Sequence, residues 1–171
     1  MNIYQRIALI LGVVIVFTLI KWDVFVFADE NKMSPVALRD LPGVYLAIDE
    51  RIEEGSLTKE QIQTDIELKL RMAGIKVLSH EEFLKAAGRP FLYINTHIIK
   101  HETGKFYIFY TQVELYQGVY LVRKPKVETI GVVTWSTRHV LGLTYNLDDI
   151  RARVKDQVDS FINAYLSVNP K

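Results

Sequence analysis

Phe91-Leu-Tyr-Ile-Asn-Thr-His-Ile-Ile-Lys100 and Phe106-Tyr-Ile-Phe-Tyr-Thr-Gln-Val-Glu-Leu-Tyr-Gln117, joined through Glu102-Thr-Gly-Lys105, decide how this chain folds. Apolar and polar side chains alternate along both runs, the period of two that belongs to strands with one buried face. With Thr103-Gly104 as a two-residue turn, Ile98 falls opposite Phe109, Ile94 opposite Val113 and Leu92 opposite Leu115. The other face then carries Ile99 with Ile108, His97 with Tyr110, Asn95 with Gln112, Tyr93 with Glu114 and Phe91 with Tyr116. A slip of one residue would mix the two sets, so the pattern itself selects the register.

Downstream, a second tight turn at Gln117-Gly118 is expected to start a return strand over 119–123, broken by Lys124-Pro-Lys126. That return puts Tyr120 and Val122 on the apolar face and sets Arg123 beside Gln112, diagonal to Glu114. Residues 129–136 read as a further strand. Asn146 then caps a last helix, with Asp148 and Asp149 in the first turn, where the helix dipole favours them. Ile150, Val154, Val158, Phe161, Ile162 and Tyr165 form its apolar stripe.

Upstream, 44–48 is a short β run, followed by a charged loop over 49–56. Thr58-Lys-Glu-Gln61 has capping-box spacing, Ile62, Ile66, Leu70 and Ala73 recur at helical intervals, and Gly74 supplies a left-handed stop. Residues 75–78 read as a strand. Ser79-His-Glu-Glu82 starts a short helix that Gly88 and Pro90 end. The expected fold is α+β: a mainly antiparallel sheet with helices packed on one face and a carboxy-terminal amphipathic helix.

The whole chain has 171 residues, no cysteine, and 21 basic against 20 acidic side chains. That length fits one domain. Without cysteine there are no disulfides, thiol nucleophiles, Cys-ligated metals or lipid attachment through a thiol. The near-neutral balance excludes a strongly polybasic nucleic-acid binder.

The amino terminus reads as an address. A short segment ending in Arg6 precedes the uncharged run IALILGVVIVFTLI over 7–20, and Ala28 offers a small residue for cleavage. Residues 1–28 are therefore expected to be a signal peptide, 29–42 an irregular lead-in and 43–171 a single domain. The alternative is an uncleaved inner-membrane anchor over 7–27. Fourteen helical residues reach about 21 Å, short of the roughly 30 Å hydrocarbon core. A longer helix takes in Lys21 and Asp23, at on the order of 3 kcal/mol each near the centre. Either way the domain is exported, as a periplasmic or secreted protein or as an anchored one. Removing 1–28 takes away Arg6, Lys21 and Asp23 and leaves equal numbers of basic and acidic side chains.

The candidate binding surface is the polar band on the second sheet face: Tyr93, Asn95, His97, Tyr110, Gln112, Glu114, Tyr116 and Arg123. Tyrosine and arginine are enriched at interface hot spots. A solvated outer face accounts for the same residues, since antiparallel sheets commonly leave one face wet. An alternative site is the string Trp135-Ser-Thr-Arg-His139, with Trp135, Ser136, Arg138 and His139 acting together with His97. No G-x-S-x-G elbow flanks Ser136, and adjacent strand residues do not converge on one point. His97 and His101 lie about 13 Å apart on a strand, too far for one ion, so no metal or cofactor is expected.

Gln63-Thr-Asp-Ile-Glu-Leu-Lys-Leu-Arg-Met-Ala-Gly-Ile-Lys-Val-Leu-Ser79, with Val113-Glu-Leu115, Leu121-Val-Arg123 and Thr134-Trp-Ser-Thr137, resembles blocks of exported bacterial proteins of uncharacterised activity, over most of 42–171. In element order the chain is also distantly similar to small envelope domains. These are the curli-secretion lipoprotein, the lipoprotein activators of penicillin-binding proteins and the amino-terminal domain of the Tol–Pal translocation protein. The resemblance implies a non-catalytic binding or assembly module of the cell envelope with a protein partner. The alternative is a small hydrolase or ligand-binding domain. The acylated cysteine of the lipoproteins is absent, so their anchoring does not carry over.

Mass spectrometry of the exported protein checks the address. The signal-peptide reading gives Asp29 as the first residue; an intact Met1 contradicts it.

Overall fold

The computed structural model describes residues 27–28, 34–49, 52, 54–102 and 104–170. The strands are β1 (Phe27–Ala28), β2 (Tyr45–Ile48), β3 (Phe91–Lys100), β4 (Tyr107–Leu121), β5 (Lys124–Ser136) and β6 (Val140–Thr144). The helices are α1 (Lys59–Met72), α2 (His80–Lys85) and α3 (Leu147–Val168), with a 3-10 turn at Pro35–Leu38. The uncharged run over 7–20 lies outside the described residues. Among those described, no helix is long and apolar enough to cross a membrane.

The sheet runs β1-β6-β4-β3-β2, with β5 also paired to β4. The β2–β3 pair is parallel and the rest are antiparallel. The register expected for the central pair holds along its whole length, from Phe91 opposite Tyr116 to Lys100 opposite Tyr107. Leu92, Ile94, Phe109, Val113 and Leu115 are buried together on one face. Burial of such side chains supplies about 1.5–3 kcal/mol each.

Both capping boxes form: Thr58 with Gln61 on α1, and Ser79 with Glu82 on α2. The Lys76 ammonium, 2.6 Å from Glu82, and the Ser79 N–H draw the Glu82 carboxyl down to about 2. Gly74 ends α1 at φ 80°, as expected of a left-handed stop. Ile62, Ile66 and Leu70 of α1, and Ile150, Val154, Val158 and Phe161 of α3, complete the core. Arg151 clamps Asp65 through both carboxylate oxygens, at 2.7 and 3.0 Å, and holds that carboxyl below the usual range. α2 sits differently: Phe83 meets Tyr45 and Phe91, residues of the opposite sheet face.

The expected turn at Gln117-Gly118 does not form. β4 continues for 15 residues to Leu121, and the chain reverses at Val122-Arg123. Gly118 answers a different need: the backbone of Gly88 crosses it, and the Gly118 N–H donates to the Gly88 carbonyl at 2.6 Å. A Cβ at Gly118 would meet Glu128 Oε1 at 3.0 Å. Nor does Lys124-Pro-Lys126 break a strand; it opens β5. Arg123 therefore lies exposed at the hairpin tip and not beside Gln112. Among the described residues the stretch over 75–78 pairs through one bridge, Val44 to Val77.

β5 and β6 share one edge of β4, end to end, with Thr137-Arg-His139 between them. Thr111 pairs with Val140 and Glu114 with Ser136, so three residues oppose two, a β-bulge. The buried Thr137 side chain repairs the ladder there. Its Oγ1 accepts from the Val113 N–H at 2.9 Å, and its own N–H donates to the Val113 carbonyl at 2.8 Å. Gln157 of α3 spans the seam, donating Nε2 to the carbonyls of Thr111 (3.0 Å) and Arg138 (2.9 Å).

Thr137→Val keeps the shape and orphans the Val113 N–H. Chemical denaturation should show a loss of about 1–3 kcal/mol, with faster amide exchange at Val113; an unchanged midpoint contradicts the repair.

Candidate functional site

Register places Tyr93, Asn95 and His97 of β3 across from Glu114, Gln112 and Tyr110 of β4, with Tyr116 at the end of the same row. Seven of the eight sequence-selected band residues thus share one half-buried face. Arg123 is the exception.

Ring packing makes the face continuous. Phe91 stacks on Tyr116 with centroids 4.8 Å apart, and Tyr116 meets Tyr93 edge-on at 6.1 Å. Tyr110 lies 6.1 Å from the His97 ring on one side and 6.0 Å from the His139 ring on the other, stacked with the latter. Such contacts contribute about 0.5–1.5 kcal/mol each beyond the area they bury.

Hydrogen bonds order the polar tips. The Tyr110 hydroxyl donates to Gln112 Oε1, and Gln112 Nε2 donates to the Thr137 carbonyl at 3.0 Å. The Tyr116 hydroxyl donates to Glu114 Oε2 at 3.3 Å. Burial, and then the negative charge of Glu114, push the Tyr110 and Tyr116 phenols above their ordinary value. Asn95 Oδ1 is buried and has no hydrogen-bond partner among the described residues.

Asp49 joins this site although the charged run over 49–56 reads as a loop. Its N–H donates to the Ile94 carbonyl at 3.1 Å, so the β2 ladder extends one residue further. Alternation from Tyr45 and Ala47 then aims the side chain at the outer face. It is 6% exposed, its Oδ2 accepts from the Tyr93 hydroxyl at 2.9 Å, and His97 Nε2 lies 3.7 Å away. The alternation was the available signal; the acidic residues that follow masked it.

The Trp135–His139 string does not gather. Trp135 is buried against Phe161, centroids 5.3 Å apart, on the helix-covered face. Ser136 pairs with Glu114, Arg138 is exposed while Gln157 binds its carbonyl, and only the His139 ring reaches the band's tyrosines. A strand sends successive side chains to opposite faces, and the bulge reorients them again. Asp148 and Asp149 start α3, as their position implied. Among the described residues no group of three or more His, Asp or Glu side chains is placed to hold a metal ion.

Compared with protein families, curated proteins and solved structures, the chain matches none.

Because burial and Glu114 both favour the neutral phenols, their contribution to stability is present below the ordinary phenol value of 10.0 and is lost as pH rises through the higher folded values. In an ultraviolet titration, Tyr110→Phe should remove an ionisation step above that value, and Glu114→Gln should lower the remaining raised steps. Steps that stay in place in Glu114→Gln contradict the assigned coupling.

Proposed function

We propose that the domain is a non-catalytic binding or assembly module of the bacterial cell envelope, and that the outer sheet face is its recognition surface for a protein partner. The observation that carries the reading is the half-buried, ordered row of tyrosine and histidine rings held in cross-strand register, with Tyr110 between His97 and His139. These rings supply rigid amphipathic contact area at low entropy. The uncharged run over 7–20, read as an export signal, supports the same reading. β1 pairs Phe27 and Ala28 with Leu141 and Val140, so cleavage after Ala28 would remove that short strand while anchoring would keep it.

The second reading, a small ligand-binding or hydrolytic domain, draws on two contacts of one carboxylate. The buried Asp49 carboxylate lies beside both the His97 imidazole and the Tyr93 hydroxyl. A carboxylate orienting an imidazole is the arrangement general-base chemistry uses. It would need a substrate pocket where those groups converge.

Crosslinked recovery from envelope fractions separates the two. Tyr110→Ala should abolish capture of the protein partner, with far-ultraviolet dichroism unchanged. Undiminished capture by the folded variant contradicts the recognition surface. A small molecule retained by the purified chain and lost in His97→Ala would favour the second reading.

A further inference from the structure

β2 ends the sheet. The Tyr45 N–H donates to the Pro90 carbonyl at 3.0 Å and the Asp49 N–H to the Ile94 carbonyl at 3.1 Å, so this alternate set is turned toward β3. The backbone groups of Leu46 and Ile48 therefore face the other way. At Val44 the outward set is already met. Its N–H donates to the Lys76 carbonyl and its carbonyl accepts from the Leu78 N–H, both at 2.9 Å. That bridge is the beginning of one more parallel strand. Ser79 then caps α2 and turns the chain away. Among the described residues β2 has no strand partner on this side beyond Val44.

A groove of about 600 Å³ follows this edge. Its floor is β2 and one wall is α1, through Lys59, Gln63, Glu67 and Arg71. On that wall Glu67 accepts from Arg71 and from Gln63, each at 2.8 Å. Lys59 and Arg71 are balanced across the groove lining by Glu67 and Glu82, so main-chain groups are the recognition elements.

We propose that this edge is a strand-addition site that takes an extended segment of a partner protein. Four residues of strand span about 13 Å, the length of β2, and the groove falls within the size range of ligand sites. The incoming backbone would bond Leu46 and Ile48, as in β-augmentation. Alternate side chains would meet the polar α1 wall and, on the other side, Tyr45 and Ala47. That pattern selects a segment of alternating polar and apolar residues. The chain's own first strand is placed elsewhere, since β1 lies at the far end of the sheet beyond β6, β4 and β3.

The test is amide hydrogen exchange on the full chain with the capped peptide Lys-Thr-Val-Thr-Val-Thr-Val-Lys as probe. Exchange at Leu46 and Ile48 should slow at least tenfold, with Tyr45 and Asp49 unchanged. N-methylation of alternate peptide residues in the edge-facing set should abolish the effect. Gln63→Trp, at an exposed helix position, should fill the groove and abolish it at unchanged Tm, whereas Tyr110→Ala should leave it intact. Unaltered exchange at Leu46 and Ile48 with millimolar peptide, or equal slowing in Gln63→Trp, overturns the proposal.

Discussion

β4 is paired along both of its edges, and its register decides the fate of every side chain around it. Against β3 it sends Phe109, Val113 and Leu115 into the core and turns Tyr110, Gln112, Glu114 and Tyr116 outward. On its other edge three residues between β5 and β6 oppose two of β4, and Thr137 takes the Val113 N–H that this bulge would otherwise leave unmet. Gln157 ties the same point to α3, and the Thr96 and Thr111 hydroxyls, 2.8 Å apart, continue the polar seam through the core. Buried polar groups satisfied in this way specify one arrangement, whereas half-satisfied they would cost more than an apolar seam.

The outer face follows from that constraint. Once register is set, tyrosine and histidine rings fall at cross-strand spacing, and Asp49 reaches them because β2 runs parallel to β3 in step with Tyr93. The face is ordered in the free chain, and such preorganisation lowers the entropy that the proposed partner would have to overcome. It is also distinct from the β2 edge, where backbone and not side chains is on offer. One side of the sheet thus presents rings and polar tips, and the β2 rim presents main chain that has no strand partner past Val44 among the described residues.

Much of this was legible because period-two alternation and capping boxes are local signals. Both boxes, the Gly74 stop and each step of the α3 stripe rest on residues three or four positions apart, and the β3–β4 pairing rests on two alternating runs joined by one short turn. What failed depended on distant chain. Gly118 looked like a turn, but its missing side chain serves the crossing of Gly88. Val140-Leu-Gly-Leu-Thr144 carries a weak strand signal of its own and is a strand because β4 and β1 pair with its two sides. Trp135 looked like part of a loop site, yet its ring packs on Phe161, which belongs to the last helix. The band itself follows from the alternation of β3 and β4, whereas the alternation that carries Asp49 into it is obscured by the charged residues that follow.

Side-chain footprinting of the chain in intact envelopes against the purified chain tests the central claim most directly. The account predicts protection of Tyr93, Tyr110 and Tyr116 in the envelope, with His97 and His139, while Tyr120 on the β4–β5 hairpin keeps its reactivity. Equal reactivity of the three tyrosines in both settings would contradict it.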